Sequence, residues 1–190
     1  MKKIVLLFLC TLSLNFVNAQ KDKDKDAPVA IPQLPIDPAT GLYTYTEVIE
    51  IPGTSKDELY KRAFAWANVF YKNPTDVIRE KNPQEGKILI KARFKISNEA
   101  DKKGVVTAAG DVMYSLTLNF KDGKYKYEIT KINWQQLSYY PIERWKDTAA
   151  GSYKPVYNHY LSQTDEILKA VIADFKIKIA EPPKVKSTDW

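Results

Sequence analysis

The sequence predicts a single α+β domain, an antiparallel sheet with two helices packed on one face. Three observations predict it. Residues 88–96 and 112–120 alternate apolar and polar side chains, the period of half-buried strands. Residues 55–70 and 155–175 instead repeat apolar side chains at helical spacing. Asp122-Gly123 between two alternating runs is hairpin chemistry, which joins strands antiparallel. An antiparallel sheet can keep one face in water, and one side of each alternating run here is polar.

The chain of 190 residues opens with a signal peptide over residues 1–19. Lys2 and Lys3 form the positive start, residues 4–16 the apolar core, and Val17, Asn18 and Ala19 the cleavage site, with Gln20 as the new N-terminus. The apolar run is too short to span a bilayer and no second one follows, so no transmembrane segment is expected. The expected location is exported: periplasmic, cell-surface or extracellular. Cys10 is the only cysteine and lies inside the leader, so the mature chain can form no disulfide and no thiolate metal site. Leu7-Phe8-Leu9 lack the small residue that lipid attachment at Cys10 would want. With Lys2 and Lys3 removed, 27 bases stand against 23 acids, a net charge of +4. That balance favours anionic partners and falls short of a dedicated nucleic-acid binder.

Residues 20–33 form a spacer: alternating Lys and Asp over 21–26 can bury nothing, and the prolines that follow keep the chain extended. The domain is expected over 34–176, with a tail over 177–190. Residues 43–51, rich in Thr, Tyr, Val and Ile, predict the first strand, stopped by Pro52-Gly53. Ser55 with Glu58 forms a capping box that starts a helix, and Leu59, Ala63, Trp66, Ala67 and Phe70 would face the core. Residues 77–80 are a possible short strand, followed by turn residues 82–86. Ile88, Ile90, Ala92, Phe94 and Ile96 then take the inner face, as do Val112, Tyr114, Leu116, Leu118 and Phe120. After the hairpin, Tyr125, Tyr127 and Ile129 point inward. The phase then slips to Ile132 and Trp134, which predicts a bulge near Thr130-Lys131. Residues 135–152 form a long connection, and a last helix presents Tyr157, Tyr160, Leu161, Leu168, Val171 and Phe175 as one stripe.

The segment LPIDPATGLYTYTEVIEIPGTSKDELYKRAFAWA over 34–67 resembles the start of DUF4468, an exported Bacteroidetes domain of unknown function with a TATA-binding-protein-like fold. The most specific matches are Ile36-Asp37 to Gly41 and Pro52-Gly53 to Leu59, and the likeness runs to about residue 175. The leader, the Asp122-Gly123 hairpin and the closing helix agree with it. The resemblance implies the order β-α-β-β-β-(β)-α and the exported compartment. It implies no catalytic residues, and nothing about DNA.

Two surfaces are candidate binding sites. Lys91, Arg93 and Lys95 would line the open sheet face beside Lys124, Lys126, Ser115 and Thr117, a shallow platform for anions or glycans. The plain alternative is a solvated face with edge-protecting lysines. Leu89 and Met113 would add an apolar patch. Tyr139, Tyr140 and Trp145, in the long connection, look exposed and are either interface anchors or a cap on the sheet core. No catalytic, cofactor or metal residues are assigned. His159 is the only histidine and falls off the apolar stripe, so it should be exposed, and zinc would need more ligands than the chain offers. Glu47 with Glu50 and Asp165 with Glu166 make no convincing acid–base pair. The function expected is a non-enzymatic binding domain for an envelope protein or anionic glycan, with no nucleic acid and an oligomeric state left open. The alternatives are a hydrolase of envelope polymers using carboxylates and an accessory subunit without its own ligand.

Overall fold

The computed structural model describes residues 32–135 and 138–181. The expected signal peptide over 1–19, the expected spacer up to residue 31 and residues 182–190 of the expected tail lie outside the described residues.

The domain is a mixed α+β fold with an open antiparallel sheet. In chain order it comprises β1 (Tyr45–Glu50), α1 (Lys56–Phe70), a one-turn α2 (Pro74–Val77), β2 (Ile78–Asn82), β3 (Lys87–Ser97), β4 (Ala108–Lys121), β5 (Lys124–Gln135), β6 (Tyr139–Pro141), a 3-10 turn (Ile142–Lys146) and α3 (Val156–Ala180). The strand order is β1-β5-β4-β3-β2, with β6 pairing the far end of β5. The first expected strand is trimmed to β1, while Tyr43 forms a separate bridge with Ile36. The segment expected as a strand over 77–80 divides instead. Pro74 at the start of a helical turn favours α2, and pairing with β3 begins only at Ile78.

Both helices lie on the apolar face. Tyr60 of α1 meets Phe120 at 5.9 Å between ring centroids, and Phe175 of α3 meets Tyr125 at 5.3 Å. The helices run antiparallel and touch through Trp66 and Phe175. Across the same seam, Trp66 Nε1 donates to Asp174 (2.7 Å) and Arg62 Nη1 to the Ile179 carbonyl (3.2 Å). Helix α3 continues five residues beyond the expected Phe175, because Ile179 is one more buried residue of its stripe.

The start of α1 is fastened to the β4–β5 hairpin. Ser55 Oγ accepts from Glu58 N, and Asp122 Oδ1 accepts from Lys56 N at 2.7 Å. The Glu58 side chain turns to Arg62 instead of back to Ser55, so half of the expected capping box forms. Gly86, before β3, takes φ +64, and a Cβ there would stand 2.7 Å from the Phe120 carbonyl, so only glycine fits. Phe70, expected in the core, lies at its edge, stacked on Trp66 and partly exposed. It stands in the last turn of α1, where the sheet no longer covers that flank.

Candidate functional site

The expected bulge exists and shapes the open face. β5 pairs β4 as Ser115↔Thr130, then as Met113↔Asn133, so Lys131 and Ile132 together oppose Tyr114. Regular alternation would turn Lys131 into the core. The bulge turns Ile132 inward and leaves Lys131 exposed, at φ +54, the one non-glycine residue with positive φ among those described. Asn133 Nδ2 donates to the Lys131 carbonyl at 2.7 Å and holds this geometry.

Cross-strand register then decides what stands beside what. Lys91 pairs with Ser115, Arg93 with Met113 and Lys95 with Asp111. Successive outward residues on a strand are spaced by about 6.6 Å, so the three bases form a ladder. Two shallow depressions flank it. One, of about 250 Å³, is bounded by Lys91, Met113, Ser115, Lys131, Asn133 and Tyr139. The other, of about 460 Å³, is bounded by Arg93, Lys95, Ala108, Gly110, Asp111 and Gln135. Four cations face this end of the sheet against the single carboxylate of Asp111, which lies 3.6 Å from Arg93. Among the described residues the side chains of Lys91, Lys95, Lys131 and Ser115 have no hydrogen-bond or ion-pair partner.

The other sequence candidates divide. Ser115 sits on this face, but neighbouring side chains leave it only 7% exposed, so it is floor and not rim. Thr117 lies two residues farther along β4, opposite Leu89. Lys124 and Lys126 lie near the hairpin, about 13–20 Å along the strands from the level of Lys91, and Lys126 is already paired with Glu128 at 2.8 Å. They belong to the same face without joining the ladder. Leu89 and Met113 form no common patch, because the Lys91–Ser115 row separates them.

Of the two readings of the aromatic connection, the structure favours the cap on the sheet core for Trp145, which is not exposed as its place in the connection suggests. Ile142 and Trp145 are buried and belong to the core. The 3-10 turn brings residues i and i+3 to one side, and Trp145 fills the space between the end of β5 and the first turns of α3. Trp145 packs on Trp134 (5.6 Å), Tyr157 (5.9 Å) and Tyr160 (5.6 Å). Tyr140 is half-buried against Trp134. Tyr139 alone stays open, 66% exposed, and pairing with Gln135 carries it to the rim of the smaller depression.

His159, expected on the surface, is half-buried beside Tyr160. Its Nε2 is enclosed without a hydrogen-bond partner among the described residues. No three His, Cys, Asp or Glu side chains converge among the described residues. The carboxylates of Glu47 and Asp165 hold β1 to α3. Asp165 accepts from Tyr45 Oη (2.9 Å) and Lys169 (2.7 Å). Glu47 accepts from Lys176 (2.5 Å) and Tyr127 Oη (3.0 Å). The Lys176 contact first, then the Tyr127 hydroxyl, hold the Glu47 carboxyl below its ordinary range. Burial, with Glu47 adding to it, pushes the Tyr127 phenol up to about 12.

Sequence reasoning missed one feature. A cleft of about 740 Å³ lies between α1 and the end of α3, walled by Ala65, Trp66, Val69 and Phe70. Its signal was Val69, 88% exposed, directly before Phe70 at the ragged end of the α1 stripe. Most of its polar groups are already committed, Arg62 to Glu58, Trp66 to Asp174 and Lys178 to Glu181. The open face, with its free cations, is the better chemical site.

A sequence profile described as "domain of unknown function (DUF4468) with TBP-like fold" matches residues 45–135. Among solved structures, the chain is similar to a DUF4468 family protein from Bacteroides ovatus ATCC 8483, at 17% identity and TM-score 0.61. That match covers 82% of this chain and 93% of that one. It is also similar to a TBP-like protein from Parabacteroides distasonis ATCC 8503, at 19% identity and TM-score 0.57, over 76% of this chain and 96% of that one. At these identities the likeness carries the fold alone. No curated protein matches the chain.

Proposed function

The chain belongs to the DUF4468 family and has its TBP-like fold, and from that premise we propose that it is an exported, non-enzymatic binding domain for an anionic polymer. The export half of the proposal rests on the leader over residues 1–19. Among the described residues no helix is long and apolar enough to cross a membrane, which is compatible with it.

One observation carries the binding half: the Lys91–Arg93–Lys95 ladder on an uncovered sheet face, with Lys131 added by the bulge and one carboxylate in opposition. Shallow depressions in a row suit an extended chain better than a compact small molecule, which would be enclosed more deeply. Repeated anionic charges on such a chain would meet repeated cations. The carboxylate-hydrolase alternative finds less support, because Glu47 and Asp165 are each engaged by a lysine and a tyrosine.

The test uses mature protein from Gln20 and polyaspartate as a plain polyanion, titrated at low and physiological salt. Reversing the ladder (K91E/R93E/K95E) should weaken binding at least tenfold. Reversing Lys121 and Lys124 at the far end of the face should change it by less than twofold. Binding should also fall with added salt. Equal binding by the ladder variant would overturn the proposal.

A further inference from the structure

We infer that the depression beside the β5 bulge is a subsite for one carboxylate-bearing pyranose of a glycan, with Tyr139 against the ring and Lys91 and Lys131 on the carboxylate. The inference rests on the anionic-polymer reading and narrows it to acidic sugars.

Four features lead to it. The first is strain in a useful place. Lys131 holds a left-handed backbone that a side-chain-bearing residue avoids and glycine accepts. Strained conformations persist where the surroundings enforce them, and here the Asn133 side chain does so. The result is an ammonium delivered to the open face from a position whose regular phase is inward. The second is chemical mixture. Tyr139 offers an exposed aromatic face, Ser115 a hydroxyl without a partner among the described residues, and Lys91 and Lys131 two free cations, all around one depression. A bare polyanion needs only the charges. An aromatic face beside hydroxyl-bonding groups is what an amphipathic sugar ring can use in addition, one side apolar and the edge polar.

The third feature is size. About 250 Å³ corresponds to roughly eight water volumes, the scale of one ring and not of a whole oligomer. The fourth is continuity. The second depression, with Arg93, Lys95 and Gln135, opens next to the first along the same strands. A glycan held by one residue at Tyr139 can therefore run on over the ladder.

The experiment uses mature protein with oligogalacturonate, oligomannuronate and oligoglucuronate as probes and polyaspartate as the sugar-free control, measured by calorimetry. Wild type should bind at least one oligouronate tighter than polyaspartate per charge. Tyr139→Ala should weaken that oligouronate about tenfold and leave polyaspartate within twofold. Lys131→Gly removes the ammonium while keeping the backbone the bulge needs, so it should weaken the oligouronate severalfold with a Tm at or above wild type. That combination separates a ligand contact from a structural one. If polyaspartate binds as well as every oligouronate, or Y139A and K131G bind the sugars unchanged, the sugar subsite is overturned while the platform stands. If K91E/R93E/K95E also leaves polyaspartate binding intact, the platform falls as well.

Discussion

Trp145→Ala separates the two roles open to this residue, an exposed anchor and a core side chain. The side chain has 0% exposure and packs edge-on or stacked against three other aromatics. Burying an indole removes about 150–250 Å² from water, which at about 25 cal/mol per Å² is about 4–6 kcal/mol as an upper bound. Core Trp→Ala substitutions cost about 3–5 kcal/mol. The lower part of that range applies here, because Trp145 Nε1 is buried without a partner among the described residues and its removal returns part of the loss. About 3–4 kcal/mol, at roughly 3 °C per kcal/mol for a domain of this size, is a fall in Tm of about 10 °C. Thermal unfolding followed by near-UV circular dichroism measures it, with Tyr139→Ala as the exposed control, expected within about 2 °C of wild type. A Trp145→Ala protein that melts with wild type would refute the placement of the 3-10 turn in the core.

Two further predictions concern polar contacts, one buried and one at the surface. Tyr71 and Tyr114 share a buried hydroxyl–hydroxyl bond of 3.0 Å, and burial pushes the Tyr114 phenol up to about 12. Tyr71→Phe should cost about 1–2 kcal/mol in urea unfolding by stranding the Tyr114 hydroxyl, whereas the double Phe variant should recover most of it; additive losses would contradict a shared bond. Glu47 has a lowered carboxyl pKa in the folded state, so its stabilisation is present above the ordinary value of 4.5 and is lost as pH falls through the lowered folded value. Glu47→Gln should therefore flatten part of the acid limb of the stability–pH curve below about pH 4.5, and an unchanged acid limb would remove Glu47 from that role.

Fold and site were legible in the sequence to different degrees. The strand alternation of β3 and β4, the Ser55 cap and the phase slip at Lys131 all appear in the structure, because each is a short-range pattern. Ile142 and Trp145 share that kind of spacing, three apart in a 3-10 turn, yet the same run also fits a surface loop. Nothing local says that Trp145 meets Trp134 of β5 and Tyr157 and Tyr160 of α3, contacts that join residues far apart in sequence.

What the sequence determined by itself is where the long strands and the two long helices run, which side of each is apolar, and the likeness to a known family. Periodicity and turn chemistry act over a few residues, so they survive in one dimension. Tertiary structure alone decided which outward residues meet. Register set Lys91 beside Ser115, sent Lys124 and Lys126 to the far end, and carried Tyr139, by pairing with Gln135, to the rim beside Lys131. The physical reason is that strand pairing joins residues far apart along the chain, and a bulge of one residue moves every side chain after it to the other face.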